Sequence, residues 1–174
     1  MNGRWLALTG FMGAGKSTVG RRVAARLGAT FVDADRAIEE RAGQSIADIF
    51  GKRGELWFRR TEEAVIREIV LSEPRGVVAL GGGALESAKT RDLLSRTAWV
   101  VWLAVSVEVA WRRAKGSSRP LAADRERFGR RAEAREGTYR AAADLMIDAD
   151  QPTEHVASRV TAWAASRLRE EEAS

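Results

Sequence analysis

The sequence predicts an α/β fold in which a parallel sheet is covered by helices on both faces. Three observations lead there. Short apolar runs alternate with longer amphipathic stretches along the chain; such alternation requires crossover connections, which make the strands parallel and put helices on the sheet's faces. The first run leads directly into Gly10-Phe11-Met12-Gly13-Ala14-Gly15-Lys16-Ser17-Thr18, a glycine loop that fits G-x-x-x-x-G-K-[ST] and opens a helix. Aspartates and glycines stand just past later runs, at the carboxyl ends where open parallel sheets collect ligands.

Taken in order, the expected strands are Trp5–Leu8, Thr30–Val32, Gly76–Leu80, Ala98–Leu103 and Leu145–Ile147. Each is a short apolar run bounded by turn or polar residues. The expected helices are Lys16–Leu27, Asp35–Arg41, Ser45–Phe50, Glu55–Leu71, Lys89–Ser95, Val107–Ala114, Arg125–Ala143 and Thr153–Leu168. In the first of these, Val19, Val23 and Leu27 fall at helical spacing; in the fourth, Phe58, Ile66 and Ile69 form the core stripe, with Trp57 beside it. Trp99, Trp102 and Trp111 belong to or flank the fourth strand and read as core. One stretch breaks the rhythm: Lys115-Gly116-Ser117-Ser118-Arg119-Pro120 is rich in breakers and flanked by arginines. Residues 115–125 are expected to form a mobile loop that closes over the site as a lid.

Composition bounds the rest. With 174 residues, 45% of them hydrophobic and 30% charged, the chain is expected to be one domain over 1–174 with a proper core. Having no cysteine, it cannot build disulfides, thiolate nucleophiles or zinc–sulfur sites. The single histidine, His155, follows Glu154 near the start of the last helix and reads as a solvated residue. A net charge of +5 suits anionic small molecules. The arginines are scattered through the helices without an aromatic stripe, so no nucleic acid partner is expected. The opening apolar run is too short for a signal peptide and nothing approaches a membrane span, so a cytoplasmic protein with no membrane contact is expected.

The glycine loop carries the sharpest chemistry. Its backbone N–H groups can converge on phosphate oxygens, and the helix behind adds the positive end of its dipole. Gly13, Ala14, Gly15, Lys16, Ser17 and Thr18 are therefore the expected nucleoside triphosphate cradle, with Lys16 reaching the β/γ-phosphates and Ser17 a place on Mg²⁺. Asp33-Ala34-Asp35 follows the second strand, so both carboxylates can lie near that loop: one serves the Mg²⁺ shell, the other a substrate hydroxyl. Asp35 would equally make the N-cap of the next helix. Gly81-Gly82-Gly83 after a buried strand points to close backbone approach to a ligand. Arg59 and Arg60, with Glu62 and Glu63 one turn on, read by pattern alone as surface ion pairs.

This ordered set resembles the shikimate kinase family across nearly the whole chain. The carrying residues are GFMGAGKST, Asp33-Ala34-Asp35, Gly54-Glu55 with Phe58-Arg59, the LGGGA run Leu80–Ala84, Arg119-Pro120-Leu121, Arg135 with Tyr139, and Pro152. The resemblance implies a P-loop NTPase of the nucleoside-monophosphate-kinase-like class, a three-layer sandwich whose five-stranded parallel sheet is ordered 2-3-1-4-5. It implies transfer of the ATP γ-phosphoryl group to the 3-hydroxyl of shikimate, a step toward chorismate and the aromatic amino acids, by a monomer that needs Mg²⁺.

By position, the resemblance makes Lys16, Asp35 and Arg119 catalytic, Asp35 holding the shikimate hydroxyls and acting as or near the base. Arg59 and Arg135 take the shikimate carboxylate, a role that suits the planar, bidentate guanidinium. Gly81, Gly82 and Gly83 meet the ring hydroxyls, and Phe50 and Phe58 form the apolar wall. Arg113 and Pro152 flank the adenine, Arg119 reaches the ATP phosphates, and Asp33 supports the Mg²⁺ held by Ser17. Two stretches depart from the family pattern: Ala122-Ala123 after the lid arginine, and Glu136-Gly137-Thr138, which lacks a proline before the tyrosine. Rival readings are a related small-molecule kinase such as gluconate kinase, or a non-catalytic relative that only binds the ligand. Absence of N-K-x-D disfavours a GTPase.

Overall fold

The computed structural model describes residues 3–72, 74–115 and 124–173. Five strands, β1 (Trp5–Thr9), β2 (Thr30–Asp33), β3 (Gly76–Ala79), β4 (Ala98–Ala104) and β5 (Leu145–Asp148), form one parallel sheet in the order β2-β3-β1-β4-β5. This is the order implied by the resemblance. Seven α-helices among the described residues connect and cover them: α1 (Lys16–Leu27), α2 (Ala34–Ala42), α3 (Ile46–Leu71), α4 (Ala88–Thr97), α5 (Val107–Ala114), α6 (Arg125–Ala142) and α7 (Thr153–Glu172).

The period-2 geometry of β1 explains how both faces are filled. Trp5 and Ala7 point into one core with Val78, Val100, Trp102 and Ile66, while Leu6 and Leu8 point into the other with Val77, Val101, Val19 and Val160. Every residue of β1 is buried, as a central strand covered on both faces must be. Each fully buried aliphatic side chain there contributes roughly 1.5–3 kcal/mol of transfer free energy. A smaller cluster of Ile38, Ile49, Phe58 and Val65 joins α2 to α3 beside the sheet.

The expected strands extend by one residue at four carboxyl ends, to Thr9, Asp33, Ala104 and Asp148, and the third stops at Ala79. Helix ends are fixed by chemistry readable in the sequence. Ser45, Ser87, Ser106 and Asp124 cap α3, α4, α5 and α6 with their side chains. The segments expected at Ser45–Phe50 and Glu55–Leu71 are one continuous assignment broken at Gly54, whose φ of 79° and ψ of 169° no helix contains. A short 3₁₀ turn, Ala84–Glu86, follows the triple glycine and was not expected. Ile69 is only partly buried, whereas Phe58 and Ile66 are buried as expected. His155 is exposed, and Trp99 and Trp102 are buried.

Candidate active site

Because β1 sits between β3 and β4, the loop leaving its carboxyl end opens into the crevice where the chain order reverses. Gly13 has a positive φ of 84°, and a Cβ there would lie 2.5 Å from the Ala110 carbonyl oxygen, so the loop lies flat against α5. Gly15, also in the left-handed region, starts α1 without a side-chain cap, leaving the first N–H groups of the helix to face outward. Lys16 Nζ folds onto the loop, donating to the Gly10 and Phe11 carbonyls at 2.7 and 3.2 Å.

A cleft of about 410 Å³ runs past this loop. It is lined by Gly13, Gly15, Lys16, Ser17 and Thr18, by Asp33 and Asp35, and by Arg113 and Thr153. Arg113 reaches the Ala149 carbonyl at 2.9 Å and the Gly13 carbonyl at 3.4 Å, which fixes it at one end of the cleft. Pro152 is not a lining residue; its neighbour Thr153 is. Ala14, although part of the loop, is buried and packs into the core on the α1 side of the sheet.

At the other end of the loop, Ser17 Oγ donates to Asp33 Oδ2 at 2.5 Å. The second oxygen of Asp33 accepts from the backbone N–H groups of Asp35 and Arg36. The helix cap expected of Asp35 is therefore made by Asp33. The Asp35 side chain lines the cleft.

Asp35 also belongs to a second group of side chains. A Cβ on Gly81 would stand 2.8 Å from Asp35 Oδ1 and 2.5 Å from Glu62 Oε1, so both carboxylates press on that glycine. Glu62 is 3% exposed, not the surface residue its pattern suggested; Oε2 accepts from Arg59 Nη1 at 2.6 Å, and Oε1 has no hydrogen-bond partner. Burial raises the Glu62 pKa above the ordinary carboxyl value, Asp35 adds to the rise, and Arg59 opposes it. Burial works against the Arg59 charge, but the facing carboxylates of Glu62, Glu86 and Glu55 outweigh it and hold the guanidinium above its ordinary value. Arg60, by contrast, is exposed.

Arg135, on α6, completes this side. It is 8% exposed; its Nε donates to Glu86 Oε1 at 2.5 Å, and it lies over the Phe11 ring at 5.8 Å. The hydroxyl of Tyr139, one turn on, donates to the Gly82 carbonyl, and burial pushes the Tyr139 pKa upward. A Cβ on Gly83 would fall 2.5 Å from Arg59 Nη1, whereas one on Gly82 would make only ordinary contacts with Arg135 Nη1, Gly10 and Met12 at 3.7–3.8 Å. The triple glycine is thus packed by the site's own charged groups at both ends and open at its middle. The Phe50 and Phe58 rings stack at 4.7 Å, Phe58 buried and Phe50 exposed. Of the expected site, Arg119 and residues 116–123 of the 115–125 stretch lie outside the described residues.

Sequence reasoning missed Glu62 and Glu86. Glu62 had a signal: it stands four residues after Phe58 and four before Ile66, inside the helix stripe that faces the core. Glu86 had none, since 49 residues separate it from Arg135.

A phosphate loop on a five-stranded parallel sheet, with an aspartate shared between its cleft and a cluster of arginines and glutamates, defines a small P-loop phosphotransferase. The family model described as "Shikimate kinase" matches residues 12–165. The chain is 42% identical to the shikimate kinase of Mycobacterium avium over 169 residues, covering 92% of this chain and 95% of the relative. It is 41% identical to that of Symbiobacterium thermophilum over 152 residues, 84% and 87% of the two chains. Among solved structures, shikimate kinase from Acinetobacter baumannii in complex with shikimate superposes with a TM-score of 0.89 at 33% identity, covering 95% of each chain. This chain belongs to the shikimate kinase family. A gluconokinase from Sinorhizobium meliloti, at 18% identity and a TM-score of 0.59, shares the fold alone.

Proposed function

We propose that this chain transfers the γ-phosphoryl group of ATP to the 3-hydroxyl of shikimate, giving shikimate 3-phosphate and ADP. Family membership supports the reaction. The observation that carries it to particular residues is the position of Asp35, which lines the cleft of the phosphate loop and also flanks Gly81 opposite Glu62. A hydroxyl held at Asp35 lies between a phosphate donor on one side and an arginine pair on the other.

On the donor side, Gly13 to Thr18 receive the phosphates, and Lys16 exchanges its loop carbonyls for β/γ-phosphate oxygens. Arg113, with Pro152 and Thr153 at the start of α7, borders the adenine end. An all-oxygen pair of hydroxyl and carboxylate, Ser17 and Asp33, fits a hard cation such as Mg²⁺. Among the described residues no group of three His, Cys, Asp or Glu side chains could hold a metal by itself, so most of its ligands would be phosphate oxygens and water. When bound it would neutralise charge on the phosphates, with Ser17 the direct protein ligand and Asp33 its support.

On the acceptor side, Arg59 and Arg135 hold the shikimate carboxylate, Gly81 to Gly83 bring backbone close to the ring hydroxyls, and Phe58 with Phe50 supplies the apolar wall. Asp35 orients the 3-hydroxyl and receives its proton as the new O–P bond forms and the bond to the β-phosphate oxygen breaks. The role of Arg119 on the ATP phosphates rests on the sequence motif alone. Both substrates are small anions, and none of the described helices is long and apolar enough to cross a membrane. The reading is tested by coupled ADP release over a panel of acceptors. Turnover should require shikimate; equal or greater turnover with gluconate or a nucleoside monophosphate overturns it.

A further inference from the structure

The two arginines assigned to the substrate carboxylate already share one. Glu86, the last residue of the 3₁₀ turn, places Oε1 2.5 Å from Arg135 Nε and Oε2 3.9 Å from Arg59 Nη2. Each oxygen thus faces a different guanidinium, as a bound carboxylate's would. We propose that Glu86 is the internal occupant of the carboxylate clamp and that an incoming substrate must displace it, so that this residue sets the affinity for shikimate. The proposal rests on the functional reading above.

The exposures of the groups differ in the required way. The Glu86 side chain is 44% exposed, whereas those of Arg59 and Arg135 are 23% and 9% exposed. Its backbone is held: the N–H bonds the Gly83 carbonyl at 3.0 Å, and Arg91 Nη1 donates to the Leu85 and Glu86 carbonyls at 2.6 and 3.1 Å. Only side-chain torsions need change for the carboxylate to swing into water.

Removing Glu86 has two opposed consequences. It abolishes a competitor, which strengthens binding. It also removes a counter-charge that helps keep two cations in place, which weakens binding. The remaining contacts decide between them. Arg59 keeps Glu62 at 2.6 Å and Glu55 at 3.4 Å. Arg135 keeps its burial and its place over Phe11. Both guanidiniums therefore stay aimed without Glu86, and the loss of competition prevails. The apparent dissociation constant of any carboxylate is its intrinsic value divided by the fraction of molecules in which Glu86 is out.

The test compares the parent protein with Glu86→Gln and Glu86→Ala at saturating ATP. The KM for shikimate should fall by about three- to tenfold in both variants, the range for removing one charge-assisted contact of this exposure, with the KM for ATP unmoved. Benzoate, a ring carboxylate without hydroxyls, serves as a second probe. By calorimetry it should bind the variants more tightly by the same factor. An unchanged or raised shikimate KM in Glu86→Gln, together with unchanged or weaker benzoate binding, overturns the proposal and makes Glu86 a support for Arg135. If the parent shows no shikimate-dependent turnover, it is the functional reading that fails. The benzoate titration still reads the clamp.

Discussion

Ser17 Oγ and Asp33 Oδ2 stand 2.5 Å apart, and the other oxygen of Asp33 receives the first N–H groups of α2. One carboxylate thus links the helix that follows the phosphate loop to the helix that carries Asp35. The two jobs can be separated by substitution. Asp33→Asn keeps a capping oxygen and should leave Tm within about 2 °C, because asparagine caps as well as aspartate. Asp33→Ala also loses the cap, at about 1 kcal/mol, which is about 2–4 °C in a chain of this size. Both should raise the Mg²⁺ concentration needed for half-maximal ADP release. An asparagine variant with the parent's Mg²⁺ dependence would show that Asp33 only caps.

Since the cap belongs to Asp33, the Asp35 side chain can be altered without unseating α2. Asp35→Asn should lower kcat by about 10²-fold or more if the carboxylate takes the hydroxyl proton. ATP affinity, read by equilibrium binding, should change by less than about twofold. In a dissociative phosphoryl transfer the base matters less, and a positioning role alone would give a loss nearer tenfold. Near-normal kcat would remove Asp35 from the chemistry.

The distribution of what could be read in advance follows from the range of the interactions. The phosphate loop and the strands are local patterns, and each appears in the fold within a residue of its expected position. Strand ends slipped because the last pairs, Thr9 with Trp102 and Asp148 with Ala104, depend on a neighbour far along the chain. The cap fell to Asp33 and not Asp35 because α2 starts at Ala34, one residue before its expected first residue. Glu62 reads as a surface partner of Arg59 until α3 is set against the sheet. The stripe of Phe58 and Ile66 then carries it inward.

That burial makes Arg59 and Glu62 a coupled pair. Arg59→Ala should raise the shikimate KM by about tenfold or more while leaving that for ATP near the parent value, as expected for losing a charge-assisted bond to the carboxylate. It also strips Glu62 Oε2 of its 2.6 Å donor, at about 1–3 kcal/mol of stability. Adding Glu62→Gln should recover Tm without recovering KM. Recovery of both would mean that Arg59 acts only by holding the fold.

Glu62 should also give the protein a pH signature. Its folded pKa is raised above the ordinary 4.5 by burial, with Asp35 adding to the effect and Arg59 opposing it. Folding therefore favours the protonated form. The stabilisation is complete below the ordinary value and is lost as pH rises through the folded one. Glu62→Gln carries a permanently neutral group, so its Tm should gain on the parent's as pH is raised from about 4 to about 8. A constant difference across that range would exclude a raised pKa.

Gly83 allows the arginine clamp to be disturbed without touching a charge. Its φ of −108° and ψ of 1° suit an L-residue, so alanine brings no backbone strain. The new methyl, however, would fall 2.5 Å from Arg59 Nη1 and 2.7 Å from Nη2. These are the ends of a flexible side chain, which can retreat, but only by leaving the position that faces Glu62 and Glu86. Gly83→Ala should therefore raise the shikimate KM by about tenfold, the scale of one lost charge-assisted contact, while lowering Tm no further than Arg59→Ala does. Gly82→Ala, whose methyl meets protein atoms only at ordinary distances of 3.7–3.8 Å, should show a KM effect only if shikimate itself approaches that backbone. A Gly83→Ala enzyme with the parent's KM would mean that Arg59 does not grip the substrate from where it stands.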